Sequence, residues 1–441
     1  MTANRKRRRA TSVKKDIISN LAEHLIDLIF ERLPMDDAVR TSVLSTKWRY
    51  KWTTMRALTI SQQFSKRALT ISQQFSKRFI RIGPYHPNGF ITVINQIMIH
   101  HNGPLLKFYL YIPNIVLDSF QEVDQWMLML PGKGVRVLTL ISINQVYPVP
   151  SSVYSCLELR QFGLFNCIFN PPLEFQGFLS LEHLCFERVD FEGNLGGTII
   201  NLPHLTELTM EKCENCNNFN IKAEKLRLLW VISCPDAMLL RLFHSKYLDR
   251  VRICFLKPAE DFLQVERITL PTMLSNLPNL ICLTIDGYFL KFLAAKRFPK
   301  WLPHVVKCLK RLEFQSLNFG DLEGALCMLQ SLPNLKQLRV TYTQLGPKAD
   351  LESTSNYLES ANCVARTLFK LQTVEITSLE GSRPELLFIL FLLYHSPHLE
   401  TMIIRPTATT DAEKRLKIAK AVMLFPRAST KAKMIYLNPQ L

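Results

Sequence analysis

Residues 202–213 read LPHLTELTMEKC, and within them Leu205, Leu208, Met210 and Cys213 are separated by three, two and three positions. Apolar residues two apart with polar ones between them describe a short strand that buries one face. The same spacing holds upstream for Leu159, Phe162, Leu164, Cys167 and for Leu181, Leu184, Phe186, Val189. Downstream it holds for Leu226, Leu229, Val231, Cys234 and for Leu248, Val251, Ile253, Leu256. Leu159, Leu181, Leu205, Leu226 and Leu248 therefore open successive units with a period of 21 to 24 residues. A unit this short cannot bury its own apolar face, so neighbours must stack and share one continuous core.

Earlier copies stand at Leu105, Phe108, Leu110 and at Val135, Leu138, Leu140. Later ones, at longer and irregular spacing, stand at Leu280, Leu283, Ile285, at Leu309, Leu312, Phe314 and at Leu335, Leu338, Val340. An LPxL prefix recurs at 202–205, 277–280 and 332–335, where proline is expected to end a return helix before the next strand. The pattern is the leucine-rich-repeat form LxxLxLxxN/C. It predicts an α/β solenoid with a curved parallel sheet over residues 104–365. Side chains between the repeat leucines would face solvent from that sheet: Arg227 and Trp230, then Asp249, Arg250 and Arg252, then Lys310, Arg311 and Glu313, then Lys336, Gln337 and Arg339. Of these, Arg227, Trp230, Arg250, Arg252, Arg311, Lys336 and Arg339 are the candidate substrate-binding residues. The later half of this face is predominantly basic, and a positive surface carrying Arg and Trp suits an acidic peptide or a phosphate-bearing protein partner. The alternative is an ordinary solvated strand face.

Residues 16–52 read DIISNLAEHLIDLIFERLPMDDAVRTSVLSTKWRYKW. Asn20 and Glu23 have capping-box spacing, and Leu21, Leu25, Leu28, Ile29 and Leu33 then recur three and four apart. Pro34 stops that helix. Asp36 and Asp37 suit the first turn of a second helix carrying Val39, Val43 and Leu44, and Ser45 suits the cap of a third that sets Trp48 and Trp52 on one side. About 40 residues are marginal as an independent fold, so such a unit rests on a neighbour or a partner.

This stretch resembles the F-box of plant F-box proteins, with Asp16, Ile18, Ser19, Leu21, Leu25, Ile29, Leu33, Pro34, Val39, Thr41, Leu44, Ser45, Trp48 and Trp52 at signature positions. Ala22 departs from it, standing where the family usually has proline. The resemblance implies an F-box over residues 16–55 that docks on a Skp-type adaptor, and through it on a cullin scaffold, to make a ubiquitin ligase. It marks Leu21, Leu25, Ile29, Leu33, Pro34, Val39, Leu44, Trp48 and Trp52 as adaptor-binding. The alternative is a small helical bundle packed only against its own chain.

Towards the other end, residues 344–369 break the repeat and are expected to form a long loop and a helix. Beyond them, Val374 and Ile376 begin a strand, Pro384 suits the first turn of an apolar helix, and Met402, Ile403 and Ile404 form the next strand. A helix through Leu416, Ala419 and Met423 leads to a last strand at 434–437. The stretches SPHLETMIIRP and LFPRASTKAKMIYLNP are similar to the FBD region of plant F-box and leucine-rich-repeat proteins, which implies an FBD-like cap over residues 366–441.

Composition bounds what remains. The 441 residues are 47% hydrophobic and 21% charged, with a formal net charge of +17. Residues 4–15, NRKRRRATSVKK, hold seven basic and no acidic side chains, a composition expected to stay disordered over residues 1–15. Within it Arg5, Lys6, Arg7, Arg8 and Arg9 fit a nuclear localisation signal, against a solvated tail with no reader. No signal-peptide core and no run of eighteen apolar residues is present, so a nuclear and/or cytoplasmic protein outside the membrane is expected. Eleven cysteines in apolar stretches suit reduced thiols; Cys213 and Cys216 form a CxxC without a second matching pair, so no metal and no cofactor is expected.

Residues 56–66, RALTISQQFSK, are repeated unchanged at 67–77. One reading runs a helix through Ile60, Phe64, Ala68, Ile71, Phe75 and Phe79; the preferred one makes Leu58, Thr59 and Ile60 a strand and loops the second copy out of a linker over 56–103. His100 and His101 would point to opposite sides of a strand, one buried and one solvated. No GxSxG, GxxxxGK[ST], HExxH or GxGxxG motif is present, so no catalytic residues are assigned. Ligase chemistry would run on other subunits, with this chain supplying proximity. A repeat scaffold with a degenerate F-box is the second reading. Nucleic-acid binding ranks last, because no groove-reading helix or aromatic platform accompanies the basic residues.

Overall fold

The computed structural model describes residues 18, 20–41, 44–66, 68, 88–192, 199–234, 243, 245–256, 268–293, 306–343, 348–359 and 367–439. The basic tail with Arg5–Arg9, and most of the second RALTISQQFSK copy, lie outside them. The chain forms two compact units, Met1–Gln145 and Val146–Leu441.

In the first unit the helices Glu23–Phe30 and Met35–Arg40 and the 3-10 turn Lys51–Thr54 precede three parallel strands, Ala57–Ile60, Lys107–Ile112 and Val137–Ser142. The first copy of ALTI is thus a strand, and the sheet begins inside the segment read as a linker. The helices Asn88–His100 and Gln121–Leu128 pack through Phe90 and Trp126, whose ring centres lie 6.3 Å apart edge to face, and Trp126 Nε1 donates to Asn95 Oδ1 at 2.7 Å. His100 ends the helix rather than lying in a strand, and His101 follows it. One is still buried and one exposed: His101 Nε2 sits 2.8 Å from the Met55 carbonyl oxygen.

In the second unit, strands from Gln161–Phe165 to Lys433–Tyr436 pair in chain order, all parallel. Burial alternates along most of them. Leu208 and Met210, and Leu338 and Val340, point inward while their strand neighbours face out, as period-two side-chain geometry requires; at Leu228–Ile232 only Trp230 is exposed. Just beyond the early strands the backbone turns left-handed, at Asn166 (φ 54°), Arg188 (φ 51°), Lys212 (φ 52°) and Ser233 (φ 54°). That kink swings the next residue inward and explains the cysteine of the repeat. The Cys167, Cys213 and Cys234 thiols donate to the carbonyls of Phe165, Glu211 and Ile232, at 3.3, 3.5 and 3.4 Å, closing the end of their own strands.

Among the described residues, the 21- to 24-residue units carry no α-helix beside their strands. The return segments there are 3-10 turns such as Ser151–Ser155 and two-residue strands such as Ile200–Asn201, so the LPHL at 202–205 follows a strand and not the expected helix. Their interior is filled by rings: Phe186 lies 5.2 Å from Phe169 and 5.4 Å from Phe191, and Phe191 stacks on Phe219 at 4.7 Å. Where the spacing lengthens, helices return the chain: Leu270–Ser275, Gly287–Leu293, Leu322–Gln330, Arg383–His395 and Ala412–Leu424. Ser382 and Glu385 form a complete capping box on the fourth of these. On the last, Ile418 and Val422 are buried, whereas the predicted Leu416 and Met423 are exposed.

Gly287 lets one return helix start against Asp321, since a Cβ there would meet Asp321 Oδ2 at 2.6 Å. Burial, reinforced by Asp286, pushes the Asp321 carboxyl up to about 6, while the Asn318 N–H and Lys291 oppose the shift. The folded state therefore holds this proton more tightly than the unfolded chain. Its contribution to stability is fully present below the ordinary value of 3.8 and is lost as pH rises through about 6. Thermal unfolding from pH 5 to 7.5 should show Tm falling with pH, and Asp321→Asn should flatten part of that slope.

Candidate functional site

Two surfaces hold the residues that sequence reasoning singled out. On the first unit, the helix EHLIDLIF is apolar on two sides, and the structure shows which side packs. Ile26 and Phe30, four apart, are buried, while Leu25, Leu28 and Ile29 are 41%, 44% and 37% exposed. Val39 and Leu44 are likewise exposed, Leu21 and Leu33 are half-buried, and Pro34 is exposed. Apolar side chains three and four apart on one open helix face mark a docking surface better than scattered ones.

Trp48 is different. It is 4% exposed, its ring lies 5.5 Å from Phe30, and its Nε1 donates to the Ile18 carbonyl at 3.2 Å. It holds the module together and is not a surface contact, a correction to its assignment as adaptor-binding. Trp52 is half-buried beside the His100 ring at 6.3 Å. The third helix predicted after Ser45 does not form: the chain runs through turns at 46–50 into the 3-10 turn, with the Trp48 and Arg49 N–H groups both bonded to Ser45 O. Lys47 Nζ donates to Leu21 O at 2.7 Å, and Lys51 pairs with Asp27 at 2.8 Å. The first helix starts at Glu23 with Ala22 in the cap position, two residues later than the Asn20 spacing predicts. Ala22 has φ −64°, the angle proline imposes. Ala22→Pro should therefore raise stability by about 0.5–1 kcal/mol and leave affinity for a partner of this face within about threefold, read by thermal unfolding and titration.

On the second unit, register sets the outward side chains in rows. One row runs Gly163, Cys185, Thr209, Trp230, Arg252, Thr284, Glu313, Arg339, Glu375 and Ile403. The expected arginines are present but largely partnered. Arg227 Nε donates to Asp249 Oδ2 at 3.0 Å, Arg250 reaches the same carboxylate at 3.2 Å, and Arg339 pairs with Glu375 at 2.8 Å. Arg252 lies 5.6 Å above the Trp230 ring and donates to Gln315 Oε1 at 3.0 Å. Arg311 lies in register between Cys282 and Gln337, and Lys336 precedes the strand. The early strands carry acid instead: Glu187 and Glu211 are in register, and Glu207 pairs with His183 at 3.0 Å. Burial first, then the Glu211 charge, pushes the Glu187 carboxyl up. The face thus carries acid on its early strands and paired arginines on its later ones. The pairings of Arg227 and Arg339 escape sequence reasoning because their counter-ions sit a full repeat or more away in the chain.

Among the described residues, no group of three or more His, Cys, Asp or Glu is placed to hold a metal ion, and no helix is long and apolar enough to cross a membrane. Family models match the chain in three places: the F-box domain at residues 18–58, the At1g61320/AtMIF1 LRR domain at 97–243 and the FBD at 364–404. The chain is 29% identical over 441 residues to the F-box/FBD/LRR-repeat protein At1g13570 of Arabidopsis thaliana, covering 96% of this chain and 99% of that protein. It is 22% identical over 447 residues to F-box/FBD/LRR-repeat protein At4g26340 of the same plant, covering 96% and 100%. Three modules in the same order, matched end to end, show that the chain belongs to the plant F-box/FBD/leucine-rich-repeat proteins.

Proposed function

We propose that this protein is the substrate-recognition subunit of a Skp-cullin-F-box ubiquitin ligase. The F-box binds a Skp-type adaptor, which joins it to a cullin scaffold, and the repeat unit binds the protein to be modified. The observation that carries this reading is the open apolar helix face of Leu25, Leu28 and Ile29 on a module whose own core is already filled by Ile26, Phe30 and Trp48. Three large side chains left in water on one side of a short helix lower the free energy most when a partner covers them. The chain itself supplies proximity, holding a target near thioester chemistry carried by other subunits. Arg5–Arg9 are proposed to direct it to the nucleus, with the cytoplasm as the other compartment.

Precipitation of the tagged full chain from plant cells should recover a Skp-type adaptor and a cullin in the same complex. Proteins captured with it should accumulate when the proteasome is inhibited. Capture of repeat-bound proteins without any adaptor would instead establish a scaffold that never joins a ligase.

A further inference from the structure

The turns that feed the strands of the second unit lie along one edge of its sheet, linked by backbone hydrogen bonds. Asp249 N–H donates to Arg227 O at 3.0 Å, Ile281 to Asp249 at 2.8 Å, Lys310 to Ile281, Lys336 to Lys310 and Gln372 to Lys336 each at 2.9 Å, and Glu400 to Gln372 at 2.8 Å. Parallel strands stand about 4.8 Å apart, so this ladder holds Lys310 and Lys336 side by side. Lys246, Lys307, Lys370 and Lys431 are exposed on the same set of turns. Lys370 Nζ donates to Asn334 Oδ1 at 2.6 Å. The ammonium groups of Lys246, Lys307, Lys310, Lys336 and Lys431 have no ion pair or hydrogen bond among the described residues.

Two cavities of about 530 Å³ open on this edge. Lys246, Lys307, Lys310 and the exposed Tyr247 line one; Lys336, Lys370, Lys431 and the exposed Phe369 line the other. Like charges on neighbouring strands repel, a cost that an anionic ligand removes. This contrasts with the strand face, where Glu375 already neutralises Arg339.

We infer that this edge, rather than the strand face, is where the repeat unit takes an acidic segment of its target, an extended peptide that places an anionic side chain in each cavity. The inference rests on the reading of the repeat unit as target-binding. A peptide fits better than a nucleic acid, because each cavity also carries a carboxylate, Asp249 or Glu400, and an amide, Asn279 or Gln372. Anionic side chains spaced along a peptide can meet the lysines and pass these carboxylates, which a continuous run of phosphates cannot do. Carboxylates and phosphorylated side chains share the chemistry the lysines recognise.

Fluorescence anisotropy on the full chain can separate these cases, using a hexaglutamate peptide, a serine-phosphorylated peptide of equal length without other acids, and a single-stranded oligonucleotide. The triple variant Lys310→Gln, Lys336→Gln, Lys431→Gln should bind the preferred peptide about tenfold more weakly, as expected for three exposed ion pairs. Its unfolding temperature should not fall, and its adaptor binding should not change. Neutralising Arg7, Arg8 and Arg9 to Gln should alter peptide affinity less than about twofold, since the contacts assigned lie on the edge and not in the tail. The peptide that binds more tightly identifies the source of the anion. Equal peptide affinity in parent and triple variant would overturn the inference, as would an oligonucleotide that binds more tightly than either peptide. Loss of adaptor binding by the parent chain, with peptide binding intact, would count against the ligase reading alone.

Discussion

A chain carrying Leu25→Asp and Ile29→Asp is expected to lose at least about 100-fold in affinity for a Skp-type adaptor while unfolding at the parent temperature. Two carboxylates placed in a buried apolar contact must each be desolvated without a partner, and hot-spot residues of this kind carry several kcal/mol of binding. The free protein should tolerate them, because both side chains are already more than a third exposed while Ile26 and Phe30 do the packing. Trp48→Ala gives the contrasting result. It removes a ring from the core and the hydrogen bond to Ile18, so it should destabilise the module by about 3–5 kcal/mol. Adaptor binding would fall only as far as the module unfolds. Circular dichroism and titration of both variants separate contact from folding.

The second large effect is expected in the repeat unit. Phe186→Ala should cost about 3–5 kcal/mol and lower Tm by roughly 10 °C, because the ring is fully buried and touches Phe162, Phe169, Phe191 and Phe219. Phe165→Ala, one residue out of phase on the neighbouring strand, is the control. That ring is half-buried on the outward row beneath the Arg188 guanidinium, 5.4 Å from its centre, and should cost about 1 kcal/mol. Equal losses at the two positions would mean that the alternation of buried and exposed residues is wrong.

The repeat was legible because its signal is local. Two apolar residues two apart, closed by a cysteine or its equivalent, identify a strand without reference to anything distant, and Leu208, Met210 and Cys213 lie where that logic puts them. The docking helix was legible as a helix but not in its facing. Leu25, Leu28 and Ile29 form one apolar stripe and Ile26 and Phe30 another, so periodicity alone cannot say which turns inward. The turns after Ser45 defeat the pattern for another reason: TKWRYKWTT is dense in β-branched and aromatic residues, which favour a helix weakly, and Trp48 is fixed by Phe30 and Ile18 instead. The partners of Arg227 and Arg339 lie 22 and 36 positions away, and no sequence window joins them. A surface whose later half reads as predominantly basic proves to be internally paired, with unpaired lysines at its edge.

The most direct measurement is a calorimetric titration of the purified full chain with a purified Skp-type adaptor. A saturable complex of equal stoichiometry, abolished by Leu25→Asp with Ile29→Asp and preserved in Ala22→Pro, is expected. Absence of binding by the parent chain, or undiminished binding by the aspartate variant, would contradict the assignment of that helix face as the link to the ligase.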